Sequence, residues 1–274
     1  MATPAAGGTP VPPAASPPAR TAPPPAGAPT VTAIPPREGT LIDGKSATRE
    51  KIRVAYWRVD QAAKVASDVD VVQGDVAGEV SIGGRLAALQ FQSSGLLEVT
   101  GDVDVRDRLT VLGTMRTGGS VRVSDLSVEG TFSTGGPIIV NGTARWQGFV
   151  EGPGDFSGTT VRIDGGFRFR GRFEANDLRA DVSASSSAAL VRADTLVLKR
   201  RSRRFGAPVT VSIDRIEGRV VVLEGIDAEY VRAERIVIGR DCHLTRVDGR
   251  IIRQHPRAHV GPESRSPRPY GLSR

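Results

Sequence analysis

The chain has 274 residues, a formal net charge of +7, 32 Gly, 19 Pro and only 5% aromatic residues. That inventory does not suit an ordinary globule built round a large aromatic core, and the single cysteine, Cys242, excludes an intrachain disulfide. Nowhere do about 18 apolar residues run together, so no membrane-spanning helix is expected.

Residues 1–40 hold most of the proline, in runs such as Val11-Pro12-Pro13 and Ala22-Pro23-Pro24-Pro25, with almost no charge. Such a stretch buries too little apolar surface to offset its ordering entropy, so a disordered tail of polyproline character is expected. Its start, Met1-Ala2-Thr3-Pro4-Ala5-Ala6, has no basic cluster ahead of an apolar run. No secretory signal is therefore read. A cytoplasmic location is the expectation, with peripheral membrane association left open.

From residue 41 to 198 the sequence reads as a β-helix. The entry, Lys51-Ile52-Arg53-Val54-Ala55-Tyr56-Trp57-Arg58-Val59, alternates as strands with one buried face do. Glycines then fall at 95, 113, 130, 148 and 166, and a second series falls at 101, 119, 136 and 154. The apolar positions keep the same beat, from Val103 to Val121, Ile138, Phe156 and Phe173. Two residue classes thus share a period near 18, and self-similarity of this kind marks a stacked repeat. Within it the unit is a hexad, with Gly136, Gly142, Gly148 and Gly154 six residues apart. Each hexad tends to place two apolar residues at i and i+2, as in Gly101-Asp102-Val103-Asp104-Val105-Arg106. Three short strands and three glycine-marked corners per repeat describe one turn of a triangular β-helix, in which parallel strands stack about 4.8 Å apart. The glycines are expected to supply corner conformations that a Cβ would penalise. The beat falters at residues 183–189.

Residues 199–206 form a basic loop. Lys199, Arg200, Arg201, Arg203 and Arg204 contribute +5, and residues 253–274 contribute +4. Removing that +9 from the net +7 leaves the remainder near −2, so the basic character belongs to one loop and one tail. A solvated loop is one reading; an anion-binding site for nucleic acid or phospholipid headgroups is the other. Residues 207–252, with Val209-Thr210-Val211-Ser212-Ile213 and Val220-Val221-Val222, restore alternating strands at a spacing nearer 16, as further turns, a cap or a separate module. Residues 253–274 read as a second disordered tail, basic and proline-containing.

No constellation for chemistry emerges. A hexapeptide-repeat acyltransferase, the principal enzymatic rival for such a helix, needs a histidine base in its body, whereas His243, His255 and His259 all lie outside the regular repeat. Asp102, Asp104, Asp107, Asp125 and Asp164 suit corners and solvated strand faces better than a paired-carboxylate site. Cys242-His243 has no second cluster at ligand spacing, and no cofactor or metal site is read. Phe167, Phe169 and Phe173 interleave with Arg168, Arg170 and Arg172, the best candidate for a base-stacking platform, but their phase is that of the inward ladder.

Several stretches carry a family likeness: Gly74-Asp75-Val76-Ala77-Gly78-Glu79-Val80, Gly101-Asp102-Val103-Asp104-Val105 and Leu126-Ser127-Val128-Glu129-Gly130, with Ile216-Glu217-Gly218, Glu224-Gly225-Ile226-Asp227-Ala228 and Val237-Ile238-Gly239 near the end. Over about residues 45–250 the chain resembles the bactofilins, a family of polymer-forming cytoskeletal proteins. The resemblance implies a right-handed β-helix that joins end to end into nucleotide-independent filaments, with no enzymatic activity. It departs from those members that carry an apolar membrane-targeting peptide, since residues 1–8 hold nothing bulky to insert into a bilayer.

An uncapped β-helix would template another copy through its unpaired strand edge and apolar cross-section. The expected interface is Ile52, Val54, Tyr56 and Val59 at one end and Ile236, Ile238, Leu244 and Val247 at the other. The partner expected is the chain itself, with other proteins reached through the tails. The alternative from another class is a non-polymerising solenoid adaptor that binds nucleic acid or an anionic membrane through the basic loop and tail.

Overall fold

The computed structural model describes residues 40–42, 46–48, 51–201 and 208–261. Both expected tails therefore fall largely outside the described residues, as do Arg203 and Arg204. The described chain is all β, without a helix. Strands β1 (Thr40–Ile42) and β2 (Ser46–Thr48) open the stack. Long and short strands then alternate as β3 (Ile52–Val59), β4 (Ala62–Val65), β5 (Val69–Val76), β6 (Glu79–Ile82), β7 (Leu86–Ser93), β8 (Leu96–Val99), β9 (Val103–Val111), β10 (Thr114–Thr117), β11 (Val121–Val128), β12 (Thr131–Thr134), β13 (Ile138–Trp146), β14 (Phe149–Gly152) and β15 (Phe156–Ile163). Beyond them, strands run on through the corners as β16 (Gly166–Val182), β17 (Ser186–Arg200), β18 (Val211–Glu224), β19 (Asp227–Ile238), β20 (His243–Gln254) and β21 (His259–Val260).

Every pairing is parallel, and each strand pairs with its equivalent one turn away, giving a β-solenoid of about 12 turns. Each turn has three straight segments, because the pairing of each long strand is interrupted part-way along, in several of them with a register slip, as between Val123 and Asp125 against β9. The first face carries residues such as 103–105, the second 109–111 and the third 114–117. Along the first face Val103, Val121, Ile138, Phe156, Phe173, Val191, Ile216 and Val231 are consecutive register partners, all buried. The alternation seen in the sequence is thus a set of continuous inward ladders.

The corner glycines work differently from the expectation. Among the described residues the only glycines with positive φ are Gly225 and Gly249, so left-handed backbone is not what the repeated glycines provide. What they provide is clearance. At Gly95, Gly113, Gly130, Gly148 and Gly165 a Cβ would lie less than 3.0 Å from the carbonyl oxygen of the glycine one turn below. The ladder ends on Gly165 rather than Gly166, which instead pairs with Phe149 on a strand. A second ladder, through Gly101, Gly119, Gly136, Gly154 and Gly171, is equally tight at another corner.

Large interior side chains are matched by small neighbours. Phe91 packs 6.3 Å from Trp57, centroid to centroid, in space left by Gly74 between them. Trp146, Phe156, Phe167, Phe169 and Phe173 form one aromatic cluster, with Phe156 and Phe173 stacked at 4.5 Å. Gly158 and Ala175 take the adjoining inward positions. Phe167, Phe169 and Phe173 are buried and so present no base-stacking surface.

Two boundaries move. Residues 183–189 stay on the beat, since Ser187 and Ala188 pair with Arg168 and Phe169. The interruption is confined to the connection from Arg200 to Val211. There the partner spacing widens to 25 residues, from Val191 to Ile216, and then contracts to 15 and 16. Strands β18 to β20 continue the same sheet, and β20 and β21 carry the stack to Val260, past the expected tail boundary at residue 253.

Ser93 occupies an inward ladder between Val76 and Val111, fully buried, and its hydroxyl has no hydrogen-bond partner. Replacing it by valine restores the ladder and is expected to stabilise the protein by about 1 kcal/mol. Gly148→Ala, which forces a methyl group onto a carbonyl oxygen, is expected to destabilise it by about 1–3 kcal/mol. Chemical denaturation followed by far-UV circular dichroism checks both signs.

Candidate functional site

The two ends of the stack are the first candidate surface. At the N-terminal end β1 runs beneath residues 57–59 and β2 beneath residues 63–65, so Val59 is fully buried. Ile52 and Val54 are half-buried, and among the described residues the only strand paired with residues 52–54 is β5. Tyr56 is 38% exposed. At the other end Ile236 and Ile238 lie one turn inside, covered by Ile251 and Gln254, and Leu244 lies beneath Val260. Val247 is buried on the last described rung of the first face.

Among the described residues the outermost apolar positions of the second and third faces at the C-terminal end are therefore Ile251, Ile252 and Val260, which the sequence reading missed. The available signal was the spacing: Ile251 follows Ile236 by 15 residues, as Ile236 follows Val221. Among the described residues, five hydrophobic side chains pack against the core while only partly buried: Ile52, Val54, Ala175, Ile251 and Val260. Four of the five sit on the terminal described rungs, so among the described residues the core is least covered at the two ends of the stack.

The basic stretch is the second candidate. Lys199 and Arg200 belong to strand β17 rather than to a loop. Lys199 is exposed; Arg200 is half-buried and donates to the carbonyl oxygen of Val209 at 3.5 Å. Arg201 forms a 2.6 Å ion pair with Asp164. The structure thus brings Lys199, Arg200 and Arg201 to one corner but ties Arg201 back to the body.

The carboxylates hold neighbouring turns together. Asp102 Oδ1 accepts the backbone N–H of Ser120 at 2.7 Å and its hydroxyl at 2.8 Å. Asp68, Asp125 and Asp155 accept the N–H groups of Arg85, Thr143 and Arg172 in the same way. Asp104 pairs with Arg85 at 2.8 Å, and Gln90 donates to Asp107 at 2.6 Å. These bonds favour the charged form: the Ser120 hydroxyl and N–H hold the Asp102 carboxyl below the ordinary carboxylate range, and the Arg85 N–H does so for Asp68. Arg192, and then Arg215, depress Glu217 likewise. Burial pushes the Cys242 thiol up. His243 and His259 stack at 5.0 Å on successive turns at the C-terminal end.

No helix among the described residues is long and apolar enough to cross a membrane. No family model, curated protein or solved structure matches the chain.

The depressed carboxylates make the stack acid-sensitive. Their folded-state pKa values lie below the unfolded ones, so their contribution is complete above the ordinary carboxylate range and is lost as pH falls below about 4. The urea midpoint is expected to fall over that window, and Asp68→Asn with Asp102→Asn is expected to flatten the dependence while lowering the midpoint at neutral pH.

Proposed function

We propose that this chain is a non-catalytic, self-polymerising scaffold of the bactofilin type, which assembles end to end without nucleotide or cofactor. The observation that supports this reading is the distribution of half-covered core residues. A solenoid buries its apolar ladder by placing one turn on the next, so its terminal turns are where burial is incomplete. Ile52 and Val54 at one end and Ile251 and Val260 at the other are in that position. A second copy would extend both the inward ladders and the parallel hydrogen-bond ladder, converting half-buried aliphatic surface into core at about 25 cal/mol per Å².

The carboxylates favour the same reading. Those singled out in the sequence are engaged in contacts that tie turns together, a structural use of residues that a paired-carboxylate hydrolase would need facing one substrate.

Negative-stain microscopy of the purified chain tests the proposal. The expected result is filaments, and about 12 turns at roughly 4.8 Å each give a subunit repeat of roughly 55–60 Å. Ile52→Lys with Val54→Lys is expected to abolish filaments while leaving the circular dichroism spectrum unchanged, and Ile251→Lys with Val260→Lys to do the same from the opposite end. Monodisperse particles of the parent chain across a wide range of salt and concentration would overturn the reading.

A further inference from the structure

The second face changes character in the last four turns. Its central outward column follows the register partners Thr110, Ser127, Arg145, Arg162, Arg179, Val197, Val222, Val237 and Arg253. Up to Arg179 this column is polar, as a solvated strand face requires. Val197, Val222 and Val237 then point away from the core on three consecutive turns, with Val220 beside them, and all four remain partly exposed. They add nothing to the inward ladder, which Leu196, Val221 and Ile236 supply in the same turns.

A second irregularity lies at the edge of this patch. Ile236 pairs with Ile251 and Val237 pairs with Arg253, which makes Ile252 the extra residue of a β-bulge. Bulges re-aim side chains. Here the result is an isoleucine 51% exposed on the outermost turn. Around the aliphatic centre stand Lys199, Arg235, Arg240, Arg250 and Arg253, all exposed. Glu224 is the carboxylate that joins them around a shallow depression of about 340 Å³ floored by Val222 and Val237, and Arg240 already neutralises it at 2.7 Å.

We propose that this outward face of the last four turns docks on an anionic lipid bilayer. The combination of an aliphatic centre and a cationic rim is what an interfacial surface requires. Apolar side chains enter the boundary between headgroups and acyl chains, while Lys and Arg stay level with the phosphates. A single-stranded nucleic acid would instead call for exposed rings for base stacking, and among the described residues this face carries no Phe, Tyr or Trp, with the His255 imidazole at the wall of the depression. The inference does not depend on the basic segment after Arg201 and does not require polymerisation.

Flotation of the full chain with vesicles tests it, comparing phosphatidylcholine alone with phosphatidylcholine mixed with phosphatidylglycerol. The expected result is binding to the mixed vesicles alone, weakening as salt rises. Arg250→Gln with Arg253→Gln is expected to weaken binding by about tenfold or more. Ile252→Asp with Val222→Ser is expected to weaken it by about tenfold as well, through lost apolar insertion. All of these substitutions are on the surface, so an unchanged thermal midpoint is the control for folding. Repeating the assay with Ile52→Lys and Val54→Lys separates membrane binding from assembly, and that variant is expected still to float. Equal recruitment to neutral vesicles, full binding by either face variant, absence of binding to mixed vesicles, or tighter binding to an oligonucleotide would each overturn the proposal.

Discussion

Everything in this fold depends on the close vertical approach of one turn to the next. Parallel strands in register hold the spacing along the three faces, but the corners must keep it too, and there the backbone cannot separate to accommodate a side chain. The glycine ladders through Gly113, Gly130 and Gly148 meet that constraint by having nothing to place between successive carbonyl oxygens. Where a corner carries a side chain instead, it is put to use: Asp102 and Asp125 reach the N–H groups of the following turn and replace a steric problem with a hydrogen bond. Individually these exposed bonds and ion pairs contribute little. Repetition along the stack lets them act together with the ladder.

Because each turn touches only its neighbours, interior volume must be balanced locally. The aromatic cluster around Phe156 and Phe173 is tolerated because Gly158 and Ala175 sit next to it. After it, the inward position two residues beyond the ladder stays small, at Ala193, Gly218, Ala233 and Gly249. The later turns are correspondingly shorter, at 15 or 16 residues instead of 17 or 18. A narrower coil with smaller interior residues continues the same sheet because only the register of the faces, and not the perimeter, must be conserved.

Much of this was legible in the sequence, since a solenoid writes its structure as a local period. The inward phase of Val103, Val121 and Ile138, the burial of the phenylalanines and the outward placement of the aspartates all follow from alternation and spacing. What the period does not contain is the reason for each glycine, because clearance between turns and left-handed backbone leave the same residue at the same place. It also conceals the ends. Ile236 and Ile238 look terminal when the chain is read to residue 252, and only the pairing of β20 on β19, with its bulge at Ile252, shows that another turn covers them. The outward valines are hidden for a related reason: the unbroken apolar run Val220-Val221-Val222 does not mark its own faces, whereas the pleat buries Val221 and sends its two outer members to the surface.

The aromatic cluster has a consequence for how the molecule comes together. Rings contributed by three adjacent turns near the middle of the stack make that region the most favourable place for the first coils to meet, after which folding can spread outward by adding one coil at a time in both directions. Coils added last hold fewest neighbours and open most readily, so the extremities exchange amide protons fastest in an isolated molecule, and a contact made there is felt first as local ordering.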